Sequence, residues 1–437
     1  MKFKACKENR EQGSTLAVTV ITSALVLIGI GSYLLLVQTQ HRSVSRSQAW
    51  NAAMTMAESG VEEALAHLNP GALDTMQPVD RTADGWGPPS AAGFYGPVSR
   101  VVTNTGSYSV VFSDTTFPTI YATGYVTVPS MSVTLTRTVA VLTTNLPLYN
   151  VAFAARTNID LNGNGPSANS FNSADPNLSY LGRYTNAPGK TSTNGDVAVL
   201  YGTLDLGNHN ILGDVYLGPT ASLNKGTNQV TGSINNDYNY DYPDVVPPNT
   251  SGWIQLNSPG LLGTLIGGLL PAPDGNSYTY VFRNDGDYVV PSLSGSIYVC
   301  TNVHVRLFVQ AGSADRVLVA GNGATNVTSK LTLYVNSPSF SLGSGGSIDG
   351  GRAANLAYFG LPNNKSITLS GNANFTGTIY APDADLTLSG GGSNDYDIVG
   401  SVVAKSIKIN GHFSFHYDED LRIKGYRGYT ATHWSEI

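Results

Sequence analysis

Residues Leu16–Val37 read LAVTVITSALVLIGIGSYLLLV, twenty-two positions without a charge or a proline. At about 1.5 Å per residue a helix of that length spans roughly 33 Å, the hydrocarbon depth of a bilayer. The helical pattern continues past the apolar run. From Gln38 to Leu68 there is no proline, and Trp50, Met54, Ala57, Val61, Ala64 and Leu68 recur at spacings 4-3-4-3-4. That is an a/d stripe, the pattern of a helix packed along a neighbour. The neighbour is either the protein's own domain or another subunit. Pro70-Gly71 ends the segment. The pattern thus predicts one helix over 14–68, about 80 Å long, with 16–37 across the membrane.

The period then changes from 3.6 to 2. After a Pro- and Gly-punctuated loop at 70–92, Tyr108, Val110 and Phe112 alternate with polar positions, Ile120–Val128 forms a second run, and Val133, Leu135, Val139 and Val141 share one face of a third. Such alternation predicts an antiparallel meander over 93–147 with one buried face. From about 150 a Gly-Asp/Ser/Thr-Val/Ile signature recurs, at Gly195, Gly213, Gly232, Gly295, Gly346, Gly377 and Gly400. The stretch Gly377–Gly390 aligns with Gly400–Gly411, placing Ile379 over Val402, Leu386 over Ile407 and Leu388 over Ile409. Self-similarity near twenty residues, with short strands and Gly/Asn corners, predicts a parallel β-solenoid over 150–421, interrupted by an insertion at 235–292. Residues 422–437 read as a tail. The fold class is mainly β, led by one long transmembrane helix.

Charge adds topology. Lys2, Lys4, Lys7 and Arg10 precede the apolar run and only Arg42 and Arg46 follow it closely. This bias predicts a single-pass membrane protein, N-terminus cytoplasmic and the remainder extracytoplasmic; the inner membrane follows only from the resemblance given below. Charged residues make up only 12% of the chain and the net charge is −6. That excludes both a basic nucleic-acid footprint and a charge-rich disordered chain. Of two cysteines, Cys6 lies before the apolar run and Cys300 ends an apolar strand; the latter reads as a buried thiol.

Three fates of the apolar run compete: a cleaved signal, a plain anchor, or a retained helix cut on its N-terminal side. Its length disfavours the first, whose apolar core is about 7–15 residues. The stretches Gln12-Gly13-Ser14-Thr15-Leu16-Ala17 and Ala57-Glu58-Ser59-Gly60-Val61-Glu62-Glu63-Ala64-Leu65 resemble the N-terminal segment of PilX-type minor pilins over about residues 10–68. The resemblance implies a leader at 1–13, cut by a prepilin peptidase between Gly13 and Ser14, and association with other pilin or pseudopilin subunits. One position departs from it: Val18 stands where most major pilins carry a Glu. Over about residues 150–421, on the marks of its Thr-Gly-Thr-Ile-Tyr-Ala-Pro turn and closing His-Tyr-Asp-Glu-Asp-Leu, the chain resembles an uncharacterised domain that follows such N-termini in bacterial envelope proteins. It implies no chemistry.

Catalytic constellations are weak. Gly411-His412 and Arg422-Ile423-Lys424 echo fragments of polygalacturonase motifs, but the paired acids such chemistry needs are missing upstream. His412, His416 and Asp418 share strand parity and form a weak metal candidate. The turn Gly343–Gly351 partly matches a calcium-binding repeat but occurs once. No P-loop, zinc spacing or nucleophile elbow occurs. The sequence therefore predicts a non-enzymatic pilus-associated subunit without a cofactor. The alternative is a membrane-anchored surface protein that binds or processes glycans.

Overall fold

The computed structural model describes residues 11–69, 82, 84–129, 131–161, 167–224, 229–320, 329–343, 348–370, 374–390, 396–424 and 426–437. Two compact units emerge. The first takes the described residues up to Thr144 together with Tyr429–Ile437, and the second the described residues from Asn145 to Gly428.

The first unit begins with helix α1, Glu11–Leu68, so Gly13 and Ser14 lie in its first turn. Four antiparallel strands follow: β1 Phe94–Val101, β2 Gly106–Ser113, β3 Thr119–Val128 and β4 Val133–Pro147. Burial alternates strictly along β2 and β3, as it must where one sheet face is covered. The cover is the second half of α1, which buries Ala49, Ala53, Ala57, Val61, Ala64 and Leu68. Of the predicted stripe, Ala57, Val61, Ala64 and Leu68 are buried, while Ala49 and Ala53 take the places expected of Trp50 and Met54. Trp50 is 46% exposed and Met54 only half-buried. The reason is clearance. At Gly124 of β3 a Cβ would lie 2.0 Å from the Ala53 carbonyl oxygen, so only alanine fits where the helix approaches most closely. Trp50 stays at the rim, under the Arg137 guanidinium at 5.1 Å. Beyond that contact, Trp86 stacks on His67 at 5.1 Å and tilts against Phe112 at 4.7 Å.

The last residues are not a tail. Tyr426–Glu436 is a strand beside β4. The Ile437 amide donates to Thr138 O, the Ser435 hydroxyl to Ala140 O and the Thr432 hydroxyl to Leu142 O; rising numbers meet falling ones, so the pair is antiparallel. Arg137 of β4 also grips Glu436 through two hydrogen bonds of 2.7 and 2.5 Å. The stretch looks like a tail because it is polar, with one side toward solvent. Its β-forming Tyr429, Thr430, Thr432 and Trp434 close an otherwise open sheet edge. The second unit is thus inserted between two neighbouring strands of the first.

In the second unit the strands pair in parallel apart from the short antiparallel pair Leu270–Pro271 and Ser277–Tyr278, and successive passes of the chain place one residue over another. One ladder carries the column Ile234, Val215, Val197, Phe153, Val402, Ile379, Tyr358, Leu333, Leu307, Tyr288, Ile254. A second carries Leu204, Ile159, Ile407, Leu386, Ile367 and Phe340, and a third Ile211, Ala168, Phe415, Ile398, Phe375, Ile348, Val317, Ile297 and Tyr280. Together they enclose one apolar core. The expected overlay of Ile379 on Val402, Leu386 on Ile407 and Leu388 on Ile409 holds, and all six side chains are buried. Of the Gly signatures, Gly346-Ser347 lies outside the described residues.

The order of the first column is unexpected. The chain enters at Phe153 in the middle, steps to one end at Ile234, and resumes at the opposite end at Ile254. It then steps back until Val402 lies beside Phe153. Eleven positions make ten steps, roughly 48 Å at about 4.8 Å each. The twenty residues from Ile234 to Ile254 can reach roughly 66 Å when extended, so the connection spans the stack as a strap. The expected insertion at 235–292 is accordingly smaller than its sequence suggests. Ile254–Gln255, Tyr280–Phe282 and Gly286–Val290 are themselves rungs, masked in the sequence by proline, asparagine and glycine around them.

Candidate functional site

The first part of α1 touches nothing. The apolar stretch is exposed throughout, from Leu16 at 70% to Val37 at 40%. Among the described residues α1 is the one helix long and apolar enough to cross a membrane. Its lower half is fixed to its own sheet, so the stripe Ala57, Val61, Ala64 and Leu68 is already occupied. Any other subunit must use the exposed upper part or the opposite face, where Glu58 and Glu62 are exposed. Glu63 is committed inward: it accepts from Arg100 at 2.9 and 3.1 Å and from the Tyr108 hydroxyl. Burial, then that bond, pushes the Tyr108 phenol up to about 12.

The metal candidates are not brought together. His416 Nδ1 bonds Asn169 at 2.6 Å, its Nε2 meets Asp397 at 3.0 Å, and Tyr184 stacks on its ring at 3.5 Å. Asp418 accepts from the Ser173 and Asp420 amides at 3.0 and 3.2 Å. His412 lies in the turn before their strand, Phe413–Asp418. Among the described residues no three His, Cys, Asp or Glu side chains group around a point where a metal would sit. Arg422, from the RIK-like fragment, holds structure: it donates to Asn150 O and to Asp196, each at 3.2 Å. Cys300 is buried, as expected, and free; burial raises its thiol pKa.

The strap builds the most distinctive surface of the second unit. The first ladder is apolar on both sides. Its outward row, Tyr216, Ala198, Ala154, Val403, Tyr380, Phe359, Tyr334 and Phe308, would face water without a cover. The strap supplies it. Tyr238 packs on Tyr216 at 5.3 Å, Tyr380 donates to Pro243 O at 2.7 Å, and Trp253 meets Tyr334 at 6.4 Å with the Arg306 guanidinium 4.9 Å from its ring. Tyr238, Tyr242 and Asn150 close a ring of hydrogen bonds of 2.6, 2.8 and 2.9 Å. Burial drives the Tyr242 phenol well above its usual range. Arg156 pins the strap to the rungs, reaching Asp244 at 2.6 Å, Asp383 at 3.0 Å and Tyr242 O. Beside this pin a cleft of about 390 Å³ opens between the strap and the turn at Tyr201. The sequence marked the strap only as a Tyr/Asn stretch closed by prolines; its Tyr-x-Tyr-x-Tyr spacing at 238–242 was the available signal.

Comparison with known proteins adds little chemistry. Residues 292–423 match a family described as a domain of unknown function (DUF7305), less than half of the chain. No curated protein matches. Among solved structures, the competence-associated pilin ComZ from Thermus thermophilus aligns over 89% of this chain and 98% of its own, at 12% identity and a TM-score of 0.23. At that score the alignment carries no weight for fold or function.

Proposed function

We propose that this protein is a non-enzymatic pilus- or pseudopilus-associated subunit that displays a parallel β-solenoid outside the cell. In this reading a prepilin peptidase cuts between Gly13 and Ser14, and the helix enters the inner membrane and then a filament or initiating complex of pilin-type subunits. The observation that carries it is the division of α1: an uncharged, exposed stretch at Leu16–Val37 continuous with a lower half packed on a small antiparallel sheet. The solenoid reading is supported by the three parallel ladders and their common core.

Val18 refines the reading. A helix inside a filament buries its N-terminal amine, and an unpaired buried charge is costly. From Ser14 to Val37 there is no acid to meet it. The second unit is also large. Both features favour a rare subunit at a tip, where one side of the helix has no neighbour. N-terminal sequencing of the mature protein tests the proposal: Ser14 is expected, whereas an intact Met1 would overturn it in favour of a plain anchor. In sheared filaments the subunit should be scarce relative to the major pilin, with label at the ends; even labelling along the shaft would refute the tip placement.

A further inference from the structure

We infer that the cleft beneath the tyrosine strap is a binding site for a neutral oligosaccharide. The inference goes beyond the filament role and does not depend on α1. The cleft lies within the second unit, between the turn carrying Tyr201 and the strap residues Asn239, Tyr240, Asp241 and Tyr242, beside Leu200 and Arg156. At about 390 Å³ it falls in the range of about 300–1,000 Å³ that holds small ligands.

The lining chooses the ligand class. Arg156 is already shared between Asp244, Asp383 and the Tyr242 carbonyl, so the cleft has no spare cationic pole for a phosphate or carboxylate. Leu200 is its one aliphatic side chain, too little for an apolar ligand. The rest of the lining is three tyrosines (Tyr201, Tyr240 and Tyr242), the Asn239 amide and the Asp241 carboxylate, with Tyr242 itself buried. Rings present flat faces to the C–H side of a pyranose, and amide and carboxylate oxygens accept from its hydroxyls. Asn239 and Asp241 are exposed, and Tyr201 is 60% exposed.

The platform is rigid as well as open. The Leu200 and Tyr201 amides donate to Ala155 O and Arg156 O at 3.0 and 2.9 Å, which stacks the Tyr201 turn on the turn of the next rung. Gly202 follows at φ +88°, and a Cβ there would lie 2.4 Å from Asn158 Oδ1. Opposite, Tyr240 stacks on Tyr238 at an interplanar angle of 9° and donates to Pro147 O. Little conformational entropy is then lost when a ligand settles.

The test is titration of the full-length protein in detergent with cellobiose, maltose, lactose and N,N′-diacetylchitobiose, read by calorimetry and ligand-observed NMR. At least one should bind with a Kd near about 1 mM, the range of a small site with few contacts. Tyr201→Ala should weaken that binding by about tenfold or more, and Tyr201→Phe, which keeps the ring, should retain most of it. Tyr180→Ala, an equally exposed tyrosine outside the cleft, should change nothing. Failure of all four sugars to bind would overturn the inference, as would binding that Tyr201→Ala leaves intact. Neither outcome bears on the mature N-terminus, so the filament reading stands or falls separately.

Discussion

Gly124 sets the distance between helix and sheet in the first unit, because a side chain there has no room against the Ala53 carbonyl. Gly124→Ala should lift α1 off β3 and cost roughly 1–3 kcal/mol, measured by denaturant unfolding with the buried Trp86 as the fluorescence probe. Asp418 sets a pH dependence. Burial holds its carboxyl at about pH 6, against an ordinary aspartate near about 3.9, and Oδ2 is buried without a hydrogen-bond partner. Between those values the folded protein keeps a proton that the unfolded chain has released. Stability contributed by this residue is therefore full below about pH 4 and falls as pH rises toward 6, by on the order of 2–3 kcal/mol. Asp418→Asn should flatten that slope in unfolding curves taken from pH 4 to 7; an unchanged slope would show that other groups cause it.

Single elements show what sequence can and cannot disclose. The ladders were legible because repeat residues such as Ile379 and Val402 meet their own kind across one rung. Truncating Ile379 to Ala removes a buried side chain at the centre of a column and should cost about 2–5 kcal/mol, read as a shift in the unfolding midpoint. The α1 stripe was legible only where helix period alone decides it. Ala49 and Ala53 replaced Trp50 and Met54 because clearance against glycine, a property of the partner strand, overrode size and hydrophobicity. The strap was legible as a segment but not as a cover. Its partner row includes Ala154, Ala198 and Val403, which make runs such as Val197-Ala198-Val199 apolar on both faces. Such runs mark strands covered twice, yet nothing in them names the cover. The cleft residues were equally silent, since Tyr201 and Asn239 are thirty-eight positions apart and meet only through the strap's return path.

For the molecule as a whole, insertion of one unit between β4 and the C-terminal strand of the other makes the first unit separable. Those strands are antiparallel neighbours, with Ile437 bonded to Thr138. A chain in which Pro147 is joined to Gly428 through a short hairpin loop of about 2–5 residues should keep α1 and the five-stranded sheet. Circular dichroism and cooperative unfolding of this shortened protein would check it, and a molten product would show that the first unit needs the second. Val18→Glu tests the proposed filament role at the same scale: if that role holds, supplying an acid near the helix start should leave incorporation unchanged or raise it, as judged by immunoblot of sheared pili, and a loss would count against it.

The meeting of Phe153 with Val402 also governs the order of assembly. A chain made N-terminus first presents β4 with a bare edge and Phe153 with no neighbour on one side. Both wait for residues synthesised about 250 to 290 positions later. Contacts of such long separation form slowly, and until they form two strand edges stand open to aggregation. Completion of the C-terminal strand is therefore the last step in closing the first unit. A chain stopped even ten residues early has every rung of the second unit but leaves the first unfinished, and limited proteolysis should cut it faster than the full chain.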